Sequence, residues 1–276
     1  MTDPLVEYEL MTPAEIVAAR ERAPVVFVPV SPIEWHGPHL PLGTDGLHAH
    51  HIAVRAARRV GGVVLPTVFA GTDSMHEPGE NGMGLARFDL GDHERVVGMD
   101  LPGFPVKSLY LHETVFGLLV REIVRLLKRD PWRLIVLVGG HGAVNHGRML
   151  QRIAYEETEQ PAPEVRYQTA WPSTPSPSSG PSGGHADRLE TSVMIALEGS
   201  RVKLDQLPPE PEPLVYNRFG IMDGRAFDGF PNEGFAIPAE SDPRGASTEE
   251  GRAIVEREVE YMAQVVSERL AELAGV

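Results

Sequence analysis

Residues 25–45, VVFVPVSPIEWHGPHLPLGTD, run from an apolar stretch directly into Glu34, His36, His39 and Asp45. Val25 to Val30 is β-branched and nearly continuous, the pattern of a strand buried on both faces. The segment from Asp45 to Arg59 reads as a helix, so the polar residues occupy a strand-to-helix connection. Glu34 and His36 are two apart and share one side of an extended backbone, and Asp45 can return to that side at the helix start. A bridging carboxylate flanked by one carboxylate and one imidazole can hold a pair of divalent cations about 3.5–4 Å apart. Asp45 is the natural bridge. Taken singly, an Asp at a helix start serves as an N-cap and a His after a strand as a hydrogen-bonded turn residue. The clustering at one sheet edge is what points to metal.

A second apolar run, Arg133 to Val138, ends in Gly139-Gly140-His141-Gly142, which delivers His141 to the same edge. The glycine pair lets the backbone approach the site closely, and Asn145 can orient a ligand or close the turn. Thr12-Pro13-Ala14-Glu15 opens a first helix with a capping box. Between the two motifs lie a strand over 63–68, a Gly-rich functional loop, AGTDSMHEPGENGMG (70–84), and a helix from His112 to Lys128 with apolar residues at helical spacing. Alternating strands and helices predict an α/β fold, a mostly parallel sheet with helices on both faces, that binds ligands beyond the carboxyl ends of its strands. WPSTPSPSSGPSGG (171–184) is too rich in Pro, Ser and Gly to pack and is expected to be a mobile loop that closes over substrate. It leads into His185 and a helix to Leu197. Ser247 to Leu273 reads as a capped amphipathic helix. No internal repeat interrupts this pattern, and one domain over 1–276 is expected.

With 25 Lys and Arg against 39 Asp and Glu, the net charge of -14 argues against nucleic acid as a partner. The absence of cysteine excludes disulfides and thiolate metal sites, leaving His and carboxylates as ligands. MTDPLVEYEL has neither the basic patch nor the apolar core of a secretory signal, and no apolar run reaches the ~20 residues that cross a bilayer. A soluble cytoplasmic protein with a small-molecule substrate and no membrane partner is the expectation.

EWHGPHLPLGTD (34–45), GGHGAVNH (139–146) and HADRLETS (185–192), followed by SDPRGASTEEGR (241–252), resemble in order and separation the signatures of the creatininase (creatinine amidohydrolase) family. The resemblance covers nearly the whole chain. It implies an α/β protein with two divalent metal ions, Zn, Mn or Fe, that hydrolyses C–N bonds of cyclic amides, formamides or peptides. It also implies a homo-oligomer, a hexamer in many members. Carried over by residue, it implies that Glu34 and His36 each hold one metal, that Asp45 bridges them, and that His141 completes one sphere. Glu190 is the candidate to complete the other, or else a carboxylate stabilised by its own helix N-terminus. His185 matches the family's catalytic His and would protonate the leaving nitrogen after a metal-bridging hydroxide attacks the carbonyl. Trp171 and Asp187 are the candidate substrate-binding residues.

Two departures stand out. Creatininase has a Glu two residues after the His of the second motif, where this chain has Ala143, and the family commonly has Gln where Trp35 stands. His39 is expected to support the ligands, and His48, His50 and His51 to pack or face solvent. Alternatives to a cyclic amide are a formamide, a peptide tail or a cyclic ketone as substrate, and, in another class, a metal-binding protein without hydrolytic activity.

Overall fold

The computed structural model describes residues 4–76, 96–100, 104, 106–159, 162–172, 185–212, 214, 216–217, 220–221 and 239–275. Its centre is a parallel sheet in the order β2-β1-β6-β7, formed by Val63–Val64, Val25–Ser31, Leu134–Gly139 and Glu164–Thr169. The short β3, Val68–Phe69, pairs in parallel with the end of β1. β1 and β6 occupy the middle because every residue of both is buried, which only a strand covered on both faces can satisfy.

Alternate residues of β1 and β6 feed two cores. Val25, Phe27, Val136 and Val138 meet Ile52 and Ala56 of α2 (Thr44–Val60), Val193 of α5 (Arg188–Glu198), and Val259 and Met262 of α6 (Thr248–Ala274). Val26, Val28, Ile135 and Leu137 meet Ala19 of α1 (Pro13–Arg22), Phe116 and Val120 of α3 (Glu113–Leu127), and Leu150 and Ile153 of α4 (Val144–Glu157). Each such fully buried aliphatic side chain contributes about 1.5–3 kcal/mol. The expected α/β architecture with helices on both faces is what these contacts build.

The register matters for function. Val25 pairs with Leu134 and Val30 with Gly139, so β1 and β6 leave the sheet at one level and their trailing turns lie side by side. The capping box of Thr12 and Glu15 and the cap from Ser247 both form as the sequence predicts. One strand differs from expectation. The 63–68 segment splits into β2 and β3 around Pro66, which has no N–H to give the ladder. The Gly-rich segment is also less irregular than expected, since Met75–His76 (β4) pairs antiparallel with Val96–Val97 (β5). Residues 77–84 of that segment, and 173–184 of the expected mobile loop, lie outside the described residues. Among the described residues no helix is long and apolar enough to cross a membrane.

Candidate metal centre

The turns after β1 and β6, the start of α2 and the start of α5 converge beyond the carboxyl edge of the sheet. Backbone bonds fix the first turn, with Glu34 N donating to Leu42 O (2.8 Å) and Trp35 N to Ser108 Oγ (3.0 Å). Gly140 lies so close to α2 that a Cβ there would fall 1.9 Å from the Asp45 carbonyl oxygen. Only glycine allows this approach, which seats His141 against Asp45.

Asp45 sits in the first turn of α2 but does not cap it. The N-cap is Gly43, without a side-chain bond, and the carboxylate turns instead to the two imidazoles. Its Oδ1 lies 2.9 Å from His36 Nε2 and its Oδ2 3.0 Å from His141 Nδ1. Glu34 Oε2 is 3.1 Å from the same His141 nitrogen, and Glu190 Oε1 is 3.6 Å from His36 Nε2. Three groups of potential ligand atoms result: His36, Asp45 and Glu190; Glu34, Asp73 and His141; and Glu34, His36 and His185.

Tautomers and second contacts orient these groups. His36 Nδ1 donates to the Glu34 carbonyl at 3.1 Å, which turns Nε2, the nitrogen that would bind a metal once deprotonated, toward Asp45 and Glu190. Tyr110 donates its hydroxyl to Glu34 Oε1 at 2.5 Å and accepts from Met99 N. Ala186 N donates to Glu190 Oε2 at 2.5 Å, so that Oε1 is the oxygen facing His36. Glu190 is thus both a first-turn carboxylate of α5 and a member of the cluster.

The electrostatics call for positive charge. Burial alone would weaken His36 as a base, but Asp45, Glu190 and Glu34 outweigh it and raise its pKa to about 10. His141 is likewise pushed well above the ordinary value by Glu34, Asp45 and Asp73 against the effect of burial. Asp45, despite burial, is held well below the usual carboxylate range by His36 and His141. His141 Nε2 is buried without a hydrogen-bond partner. Nitrogen and carboxylate oxygen donors gathered without sulfur suit Zn, Mn or Fe, and the residues present fit such ions.

The remaining expected residues fall around this cluster. His185 Nε2 donates to the Trp35 carbonyl at 2.6 Å, and its ring lies 4.3 Å from that of His36. Ala186, directly after it, holds a φ of 53°, a left-handed conformation that costs a non-glycine residue about 1–3 kcal/mol and recurs at functional sites. Asp187, expected to bind substrate, is the N-cap of α5, its Oδ1 accepting from Leu189 N and Glu190 N. Its Oδ2 is buried without a partner, and burial raises its pKa to about 6. Trp171 stacks 6.1 Å from His48 and, with His141, lines a pocket of about 370 Å³.

His39 supports rather than joins the cluster, its Nε2 bonding Thr191 Oγ1 at 2.9 Å. Asn145 closes the turn, accepting from His146 N. His48 and His51 pack in hydrogen bonds with Glu258 and Glu198. Two residues at the centre had no assigned role in the sequence. Asp73, inside the Gly-rich segment, brings Oδ2 to 3.5 Å from His141 Nε2. Tyr110 carries no local signal; it arrives through the bridge between Ile33 and Leu109.

Comparison with known proteins gives the chain a family. The family model for creatininase, creatinine amidohydrolase, matches residues 9–266. The creatinine amidohydrolase of Pseudomonas putida is 26% identical over 267 residues, covering 88% of this chain and 89% of that protein. The mycofactocin precursor peptide peptidase of Mycolicibacterium smegmatis is 40% identical over 75 residues, 24% of this chain and 30% of that protein. A solved creatininase, 24% identical, superposes with a TM-score of 0.64 over 96% of this chain and 98% of its own. The chain therefore belongs to the creatininase family of amidohydrolases.

Proposed function

We propose that this chain hydrolyses a carbon–nitrogen bond of a small amide with two divalent cations at the described centre. The observation that carries this reading is Asp45, whose two oxygens address two different imidazoles at 2.9 and 3.0 Å. Glu34 and His141 would complete the sphere on one side of it, His36 and Glu190 the other. Solved creatininases in manganese and zinc–zinc forms are among the structural neighbours, and iron shares the same donor preferences. When bound, such cations polarise an amide carbonyl and make water a nucleophile near neutral pH.

The chain's own residues do the rest. Tyr110 fixes Glu34, the Glu34 carbonyl fixes the His36 tautomer, and Ala186 N fixes Glu190. His185 gives a proton to the departing nitrogen. Because its Nε2–H is spent on the Trp35 carbonyl, Nδ1 is the atom available for transfer. Trp171 forms one wall of the substrate pocket beside His141.

Metal analysis of supplemented protein, paired with an amide screen, tests the reading. Expected are bound metal and turnover of at least one amide; metal without turnover of any amide would favour the non-catalytic alternative. His185→Asn should lower kcat by about 10²–10⁴ with metal content intact. Loss of metal in that variant would make His185 a ligand, and an unchanged kcat would remove it from the mechanism.

A peptide substrate is the second reading, favoured by the 40% identity to a peptide peptidase over 75 residues. Self-association belongs to the same proposal. α3 leaves Val115, Leu118 and Leu126 between 50 and 63% exposed, an apolar face that a second copy could cover. Light scattering should give a mass above 30.2 kDa; a monomer at micromolar concentration would contradict it.

A further inference from the structure

The pocket beside His141 holds Arg148, a cation with no carboxylate partner among the described residues. It is lined by His141, Arg148 and Gln151 on one side and by Tyr167, Thr169 and Trp171 on the other, in a volume of about 370 Å³. Arg148 and Gln151 are three apart on α4 and so share a helix face. Tyr167 reaches in from β7 because two neighbours lack side chains. A Cβ at Gly139 would lie 3.0 Å from its hydroxyl, and one at Gly147 3.4 Å.

The other basic residues around α4 are committed. Arg121, Arg125 and Lys128 converge on Glu157, and Arg152 pairs with Glu156 at 2.7 Å. Arg148, in the wall of the pocket, has no carboxylate partner among the described residues, in a chain of net charge -14. Resting on the amidohydrolase reading above, we propose that the substrate is an amide bearing a carboxylate, which Arg148 binds while the amide lies at the metal centre. A guanidinium fork matches a carboxylate in two parallel hydrogen bonds, and Gln151 and the Tyr167 hydroxyl can add further donors. The single guanidinium in the pocket lining balances one negative charge, which favours a carboxylate over a phosphate dianion. The rings of Tyr167 and Trp171 form the wall for the apolar body between carboxylate and scissile bond.

Calorimetric titration of the metal-loaded protein with N-acetylphenylalanine, its carboxamide N-acetylphenylalaninamide, and phenyl phosphate tests this. The carboxylate should bind at least about tenfold more tightly than the carboxamide, the span of a charge-assisted pair. In Arg148→Met that ratio should collapse toward one, whereas Arg152→Met, on the same helix but outside the pocket, should keep it. Equal affinities in the unaltered protein, binding of neither probe, tighter binding of phenyl phosphate, or a ratio that survives in Arg148→Met would each overturn the proposal. The last result would mean that the carboxylate is held by the cations. Failure of the amidohydrolase reading is seen separately, as absent metal or absent turnover, since the binding ratio needs no catalysis.

Discussion

Most donors at the centre are held by a hydrogen-bonded partner, whereas His141 Nε2 has none and only approaches Asp73. Its Oδ2 faces His141 Nε2 at 3.5 Å while the other ring nitrogen faces Asp45 and Glu34. A carboxylate behind a metal-binding imidazole fixes the tautomer and strengthens the ligand. Asp73→Asn should therefore weaken metal affinity by about 10–100-fold, measured by competition with a chelator; unchanged affinity would leave Asp73 outside the centre. Glu34, His36, Asp45 and His141 were legible in the sequence because they follow apolar strands or open a helix at short spacing. Asp73 and Tyr110 were not. Their roles arise from pairing between distant segments, Tyr110 meeting Glu34 from 76 residues away, and no local spacing encodes that. Asp187 shows the reverse case, a residue in a conspicuous motif whose Oδ1 is spent on the backbone of its own helix.

At the scale of elements, the site depends on how closely α2 meets the turn after β6. Gly140→Ala should lower stability by about 1–3 kcal/mol or more, the usual range for overpacking, because its Cβ would collide with the Asp45 carbonyl. Gly142→Ala, with nothing within 4 Å of the new carbon, should be tolerated. Equal melting temperatures for the two variants would contradict the close approach. α3 and α4 are latched by Glu157, which accepts from Arg121, Arg125 and Lys128. Burial works against its charge, but Lys128, Arg121 and Arg125 outweigh it and hold the carboxyl below its ordinary value. A depressed carboxyl contributes stability that is complete above the unfolded pKa, about 4.3, and is lost as pH falls through the folded value. Glu157→Gln should thus cost about 1–2 kcal/mol at pH 7, with the gap in melting temperature closing on acidification; a gap that widens at low pH would refute the latch. The helices were readable from period and caps, as with Thr12 and Ser247. The split at Pro66 is hidden in the sequence by the apolar run around it, since only the missing N–H breaks the ladder.

Across the whole molecule, the parallel sheet was legible because β1 and β6 are apolar on both faces, and that property alone places two His-bearing turns at one edge. What remained unreadable is the lining of the pocket, assembled from α4, β7 and Trp171, elements whose packing no single stretch specifies. At this edge Asp45 is proposed to join two cations. The most direct measurement is metal per chain, by elemental analysis after supplementation and removal of free ions, for the unaltered protein, Asp45→Ala and Glu190→Ala. Two equivalents are predicted for the unaltered chain, close to none for Asp45→Ala, which serves both ions, and at least one for Glu190→Ala, which serves a single ion. No metal in the unaltered chain, or an Asp45→Ala variant that keeps both ions while Glu190→Ala loses them, would contradict the account.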